Sequence, residues 1–395
     1  MHQKSNFKFL LLLLLLLATF LSACSETNSI VNSQPQPSPD IVEPIPSSEM
    51  VEPLPSSTDS KAEAFPAFAE DAVAQWREPA VEALVREKLG QPGGDIMLSD
   101  LDYIWGIELF GDTHIYFNAD GGYTMWKSID DYVYTETIWN PANINVVDED
   151  AEGNSFKTGA YSVDEAQYMR GSIASLVDFA NFRNLRFLHI YKNSLADLSG
   201  LSVVENLIEL KLVDNEIRDI TALSELAQID ALLLYGGQIE DISPLSNLVQ
   251  LSTLVLRENH VSNIDMISSL HNLKKLNLSY NPVTDLQALK EFDQLIYLWF
   301  TRTSVTDLSP LAGNTSIRVL TMENLYVDSI DLAPLATMTA LEMLSIRQDQ
   351  AELLNFNILG MMKKLWYLEI LGSVGVSDED IAWLRKELPA GCQIK

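Results

Sequence analysis

The chain has 395 residues, of which 47% are hydrophobic and 21% charged, and its formal net charge is −29. That is enough apolar matter for an ordered core or an extended repeat array, while the acidic balance excludes nucleic acid as a partner, because phosphate binding needs clustered Lys and Arg. Two cysteines, Cys24 and Cys392, cannot form a disulfide framework, so packing has to hold the fold.

The first element is a targeting address. Lys4 and Lys8 precede an apolar run from Phe9 to Phe20, well short of the ~20 residues that span a bilayer. A basic start and a short apolar run make a secretory leader. It ends in Leu21-Ser22-Ala23-Cys24, which resembles the lipobox of bacterial lipoproteins. The resemblance implies that residues 1–23 are removed and that Cys24 becomes an acylated N-terminus carrying a lipid on its thiol. It implies a place on the extracytoplasmic side of the cell membrane. An ordinary leader that happens to contain a cysteine is the other reading.

Residues 24–61 repeat Val42-Glu43-Pro44-Ile45-Pro46-Ser47-Ser48 as Val51-Glu52-Pro53-Leu54-Pro55-Ser56-Ser57. So little large apolar surface cannot offset the entropy of ordering, and proline stiffens the chain, so a disordered tether is expected. Residues 62–109 read as a cap and a first repeat strand. Pro79 fits a helix start, Val81, Leu84, Val85 and Leu89 keep helical spacing, and Gly90 fits the left-handed stop. Residues 110–172 interrupt the pattern with an aromatic-rich insertion, in which His114 to Asn118 and Tyr123 to Ile129 are expected to form a hairpin. Tyr116, Phe117, Tyr123, Trp126, Tyr132, Tyr134 and Trp139 build its own small core or a ligand surface. Asp148 to Gly153 imitates the start of a calcium loop, but the position of the bidentate glutamate is Gly159, so no metal is expected there.

From 173 to 375 the chain repeats. Leu185, Leu207, Ile229, Leu251, Leu273, Leu295 and Ile317 stand 22 residues apart. Each is followed by apolar residues at +3 and +5, the first unit giving Leu188 and Ile190. Asn193, Asn215, Asn259 and Asn281 recur at +8, with Gly237 and Thr303 in their place elsewhere. A further column, Asp197, Asp219, Asp241, Asn263, Asp285 and Asp307, precedes an apolar residue and is expected to cap short turns on the side away from the strands. One carboxylate per coil does not make a calcium site. The units from Ile317 and Leu341 run to 24 residues, and Leu365, Leu368 and Ile370 give a last strand. Residues 376–395 are expected to be a terminal cap, with a helix over Asp378 to Leu388 and Cys392 buried.

These units carry the L-x-x-L-x-L-x-x-N-x-L signature of leucine-rich repeats and resemble the 22-residue repeats of bacterial internalins. The segment Val85 to Gly90, with Gly94-Asp95-Ile96 and Asp100-Leu101, is similar to the N-terminal cap of such proteins. The resemblance implies an α/β fold, a right-handed solenoid with a parallel concave sheet, and a role in binding, often to another protein. No sorting signal and no immunoglobulin-like domain follow the repeats in this sequence, so a role in host invasion is not carried over.

Strand positions that flank the inward pair are expected on the concave face. They read His189, Lys211, Leu233, Val255, Asn277, Trp299, Thr321, Ser345 and Glu369 in the middle column. The expected partner site comprises Tyr191, Leu233, Tyr235, Arg257, Tyr297, Trp299, Arg347 and Tyr367, centred on Tyr235, Arg257, Tyr297 and Trp299. Aromatic residues are also good strand formers, so shielding of the sheet is the competing role. The leading expectation is a protein ligand on this face. Binding of carbohydrate or cell wall by aromatic stacking is the alternative. No catalytic motif of the G-x-S-x-G, H-E-x-x-H or G-x-x-x-x-G-K-[ST] type occurs, and no cofactor or enzyme activity is expected.

Overall fold

The computed structural model describes residues 71–111, 114–118, 147–149, 155–157 and 170–395 apart from 371. All belong to the unit Lys61–Lys395. Cys24, the tether and the expected strand Tyr123 to Ile129 lie outside the described residues.

The repeat becomes one coil of a solenoid. In the coil that begins at Leu251, the side chains of Leu254, Leu256, Val261, Ile264, Ile267 and Leu270 are all buried with it. A lone coil could cover none of them. Stacked coils cover all, and each buried Leu or Ile stabilises by about 1.5–3 kcal/mol over its exposed state. The strands are β1 (Gly106–Phe110), β5 (Phe187–Tyr191), β6 (Glu209–Val213), β7 (Ala231–Tyr235) and β8 (Thr253–Val255), followed by β9 (Lys275–Asn277), β10 (Tyr297–Trp299), β11 (Val319–Thr321), β13 (Met343–Ser345), β15 (Tyr367–Glu369) and β16 (Gln393–Ile394). They run parallel in chain order along one sheet. Equivalent residues pair, so Leu232 lies beside Leu210 and Leu254. Short 3₁₀ turns, such as Thr221–Glu225 and Ser243–Leu245, form the opposite side.

Two side-chain ladders close the coils. Asn259 is buried, donates Nδ2 to the carbonyls of Leu234 (2.8 Å) and Leu256 (3.0 Å), and accepts the Ile239 N–H (3.1 Å). Asn281 repeats the pattern with Leu256 (2.7 Å) and Val261 (3.0 Å). Where the column changes, the substitute is legible: Thr303 returns its hydroxyl to the Phe300 carbonyl (2.8 Å), and a β-carbon on Gly237 would sit 2.7 Å from Asn259 Oδ1. Near the C-terminal end Gln348, one position earlier, takes over by accepting from Leu325 N (2.9 Å) and donating to Met322 O. The acidic column caps turns as expected, Asp219 Oδ1 accepting the Thr221 N–H and Asp241 Oδ1 that of Ser243, both at 2.8 Å.

The residue before the Asn column turns the chain through the left-handed region in seven coils: Lys192, Asp214, Gly236, Glu258, Tyr280, Arg302 and Asn324. Only Gly, Asn and Asp visit this region readily, and other side chains meet strain on the order of 1–2 kcal/mol there.

The insertion leaves and re-enters the first coil at one point. Gly111 N–H donates to Tyr191 O (3.0 Å) and Gly171 N–H to Lys192 O (2.7 Å), so neighbouring carbonyls of the next coil hold both ends. Ile173 and Leu176 then complete the coil that β1 began. The strand β2 (His114–Asn118) pairs antiparallel with β1, Gly106 opposite Asn118, at the sheet edge. A separate antiparallel pair joins β3 (Val147–Glu149) to β4 (Ser155–Lys157). The two longer late units make room for a second parallel pair, β12 (Ser329–Asp331) with β14 (Glu352–Leu354), which the sequence pattern did not suggest.

Helices close both ends. α1 (Pro79–Leu89) buries Val81, Leu84 and Val85 and stops at Gly90, φ 65°. Buried Asp178 accepts the backbone N–H groups of Arg77 (2.8 Å) and Glu78 (2.7 Å), fastening this cap to the first coil. α2 (Asp378–Glu387) begins in a reciprocal cap between Ser377 and Asp380 and buries Ile381 and Leu384. Gly360 lets it approach, since a β-carbon there would meet the Trp383 ring at 2.8 Å. Cys392 is half-buried against the end of the core, more open than expected, because it belongs to the turn before the short terminal strand β16.

Asn259→Ala should lower stability by about 2–3 kcal/mol in urea unfolding, since it strands buried carbonyls and one N–H. Asp285→Ala, at an exposed turn where Asp285 accepts the Gln287 N–H (2.7 Å), should cost far less. Equal losses would mean that the Asn ladder does not tie the coils.

Candidate functional site

The concave face is more closed than strand alternation suggests. Of the middle column, His189, Leu233, Val255, Asn277, Thr321 and Ser345 are buried. Leu233, expected to meet a partner, is 4% exposed and forms with Ala231 and Val255 a small apolar cluster separate from the main core. The reason is geometric. Neighbouring strands lie only about 4.8 Å apart, so taller side chains on one strand lean over shorter ones on the next. The polar and aromatic side chains of the face fall into four groups, two of them emerging from it and two mostly buried within it.

At the N-terminal end His189 lies wholly buried between carboxylates, Nε2 at 3.1 Å from Glu209 and Nδ1 at 3.9 Å from Glu108. Lys211 reaches Glu209 at 2.7 Å. Burial pushes the Glu209 carboxyl up, but Lys211 and His189 outweigh it and hold it down at about 2. Burial raises Glu108 as well, and its net shift is downward because of His189, Lys211 and a Tyr191 hydrogen bond. Tyr191 also stacks on Phe110, centroids 4.5 Å apart. Its ring thus joins an internal network at this end.

The second group runs along the C-terminal edge of the central strands. Arg257 lies over the Tyr235 ring (5.7 Å) and the Tyr280 ring (4.2 Å), and Arg302 lies over Tyr280 (5.2 Å). Glu258 approaches Arg257 at 3.5 Å. Burial first, then the Glu258 carboxylate, push the Tyr235 hydroxyl up to about 12.

The third group is Tyr297 and Trp299, half-buried rings 5.6 Å apart and 7° from parallel, with Lys275 Nζ 5.4 Å from the Tyr297 centroid. The fourth, at the far end, has the Ser345 hydroxyl donating to Glu323 and Glu369, with Tyr367 donating to Glu369 at 3.0 Å. Burial, then Glu369, lift the Tyr367 hydroxyl to about 12. Arg347 stands 3.7 Å from Asp349.

The structure therefore places Tyr235 at the end of β7, Arg257 two residues past β8, and Tyr297 and Trp299 both on β10, within a stretch of four adjacent strands about 15 Å wide. Tyr191 stands two strands before β7, whereas Arg347 and Tyr367 lie two and three strands beyond β10. Tyr280 and Arg302 belong with the central set and were missed, because they sit three residues past the ends of β9 and β10, in the left-handed position. Their signal is an aromatic and a guanidinium in adjacent coils at a position that Asp214, Gly236 and Asn324 fill elsewhere, although Lys192 and Glu258 are also large.

Among the described residues no cluster of three or more His, Cys, Asp or Glu could hold a metal ion, and no helix is long and apolar enough to cross a membrane. A shallow depression lined by Arg218, Asp219, Thr221, Gln238 and Asp241 lies on the turn side and shares no residue with the concave aromatics.

Register, ladder and sheet define a leucine-rich-repeat solenoid, and residues 249–291 match the family model of leucine-rich repeats in two copies. No curated protein matches the chain. Among solved structures it is similar to internalin C2 of Listeria monocytogenes, at 19% identity over 74% of this chain and 92% of that one, TM-score 0.44. It is similar to the internalin InlF of the same organism, at 16% identity over 80% and 94%, TM-score 0.49. A leucine-rich-repeat protein of Leptospira interrogans shares 22% identity over 58% and 65%, TM-score 0.49.

The depressed Glu209 carboxyl carries a pH signature. Its folded value, about 2, lies below the ordinary 4.5. The stability it contributes is therefore present above the ordinary value and is lost as pH falls toward the folded one. The gap in unfolding free energy between the native chain and Glu209→Gln should stay level from about pH 7 to about pH 5, then narrow on acidification. A gap independent of pH would show that Glu209 is not held ionised by Lys211 and His189.

Proposed function

We propose that this chain is a lipid-anchored, extracytoplasmic leucine-rich-repeat protein that binds a protein partner at the cell surface through the centre of its concave face and performs no chemistry of its own. One observation carries the reading. On β7 to β10 a floor of buried, short side chains leaves Tyr235, Arg257, Tyr297 and Trp299 half-exposed above it. Rigid aromatics and arginine over a desolvated floor are the residue types that anchor protein interfaces. The groups with displaced protonation, Glu209, Tyr235 and Tyr367, are engaged with neighbouring side chains inside the sheet face, which favours a binding surface over a catalytic one. Membrane attachment rests on Leu21-Ser22-Ala23-Cys24 alone.

A second reading has its own support. Tyr297 and Trp299 lie as a parallel, stacked pair of half-buried rings, and aromatic faces at a surface are also what sugar rings pack on. Carbohydrate or cell-wall binding is therefore the alternative ligand class for the same face.

Capture of a partner from intact envelopes by the full chain should fall by at least about tenfold in Trp299→Ala and Tyr297→Ala, with thermal stability little changed. Undiminished capture would contradict a concave site. Capture that survives protease treatment of the envelopes, with binding on a glycan array, would replace the protein ligand by a carbohydrate. Separately, Cys24→Ser should move the protein from the membrane fraction to the soluble fraction. Retention of that variant on membranes would remove the lipid anchor.

A further inference from the structure

The second group on the concave face has a chemistry of its own. Four successive coils contribute Tyr235, Arg257, Tyr280 and Arg302, one side chain each, alternating ring and guanidinium. Stacking on rings fixes a guanidinium plane and leaves its N–H edges as donors in the geometry a carboxylate accepts. The members are not equivalent. Arg257 is half-buried between two rings and already has Glu258 at 3.5 Å. Arg302 ends the stack, is exposed, and among the described residues has no carboxylate within salt-bridge distance; its guanidinium lies over the Tyr280 ring. An oriented, unengaged cation in a chain of net charge −29 is a local reversal of sign. Both Tyr280 (φ 59°) and Arg302 (φ 54°) hold left-handed backbone, where Gly236, Asp214 and Asn324 serve in other coils. Three adjacent coils, with Glu258 (φ 55°) before these two, thus place bulky side chains against backbone preference, as Lys192 does near the N-terminal end, and strain of this kind collects at ligand sites.

We propose that the Tyr235–Arg257–Tyr280–Arg302 stack is a carboxylate-reading edge of the concave site, taking an acidic segment of the protein partner with a Glu or Asp side chain on Arg302. The proposal rests on the protein-binding reading and names the chemistry of the partner. Polyuronate polymers carry carboxylates too, and they are the occupants the test must distinguish.

The probes are a fluorescent peptide of about ten residues with glutamates interspersed among apolar residues, its all-glutamine counterpart, and a polygalacturonate oligomer, each titrated against the full-length chain. The glutamate peptide should bind, and the glutamine peptide at least about fivefold more weakly. Arg302→Gln should lower affinity for the glutamate peptide by about fivefold, leave the glutamine peptide unchanged and flatten the salt dependence. Arg218→Gln, on the turn side, should change neither. Tyr280→Asn suits the left-handed backbone, so it should raise the melting temperature while weakening the glutamate peptide, which separates loss of the site from loss of fold. Absence of glutamate-peptide binding, equal effects of Arg302→Gln and Arg218→Gln, or tighter binding of polygalacturonate than of the peptide would each overturn the proposal. If Arg302→Gln leaves partner capture intact while Trp299→Ala abolishes it, the carboxylate edge fails and the concave site stands.

Discussion

Everything in this molecule depends on adjacent coils sharing one register. The buried leucines of a single coil have no partner within that coil, so their burial exists only in the stack. The strand pairings repeat residue for residue along the sheet, and that repetition turns a sequence period into rows of side chains on a surface. The Asn ladder enforces it from inside. Asn259 and Asn281 each donate back to the preceding coil and accept from it, so a slip of one residue would strand several buried polar groups at once.

That register also explains which side chains the concave face exposes. Rows on the concave face converge, and a position is accessible only where its side chain overtops its neighbours. Leu233 and Val255 sink, while Trp299 and Tyr297 stand. The turns just past the strands escape this crowding but demand left-handed backbone, which makes a large side chain there costly. Tyr280 and Arg302 occupy such turns, and with Arg257 and Tyr235 they form a charged aromatic edge beside the apolar floor. The two ends of the face are different in kind. Glu108, His189, Glu209 and Lys211 at one end, and Glu323, Ser345 and Glu369 at the other, engage one another within the face.

The repeat architecture was legible because it is a periodic property. A residue every 22 positions with partners at +3, +5 and +8 leaves one way to stack, and the start at Pro79, the stop at Gly90 and the turn-capping Asp column follow from local rules that tertiary packing does not override. Exposure was not legible to the same degree. Strand alternation assigns a side of the sheet, but the height of neighbours three-dimensionally adjacent and 22 residues away decides whether Leu233 sees solvent. The role of Gln348, one place off the Asn column, and the second parallel pair in the longer units depend on how irregular spacing is absorbed, and the period alone carries no information on that.

The central claim is that a partner meets the concave rows. Site-specific photo-cross-linking on intact cells tests it most directly, with a photo-reactive residue placed at Trp299 in one variant and at Met266, 44% exposed on the turn side, in another. The account predicts one discrete adduct from position 299, competed by unlabelled protein, and none above background from position 266. Adducts of equal yield from both, or from position 266 alone, would contradict it.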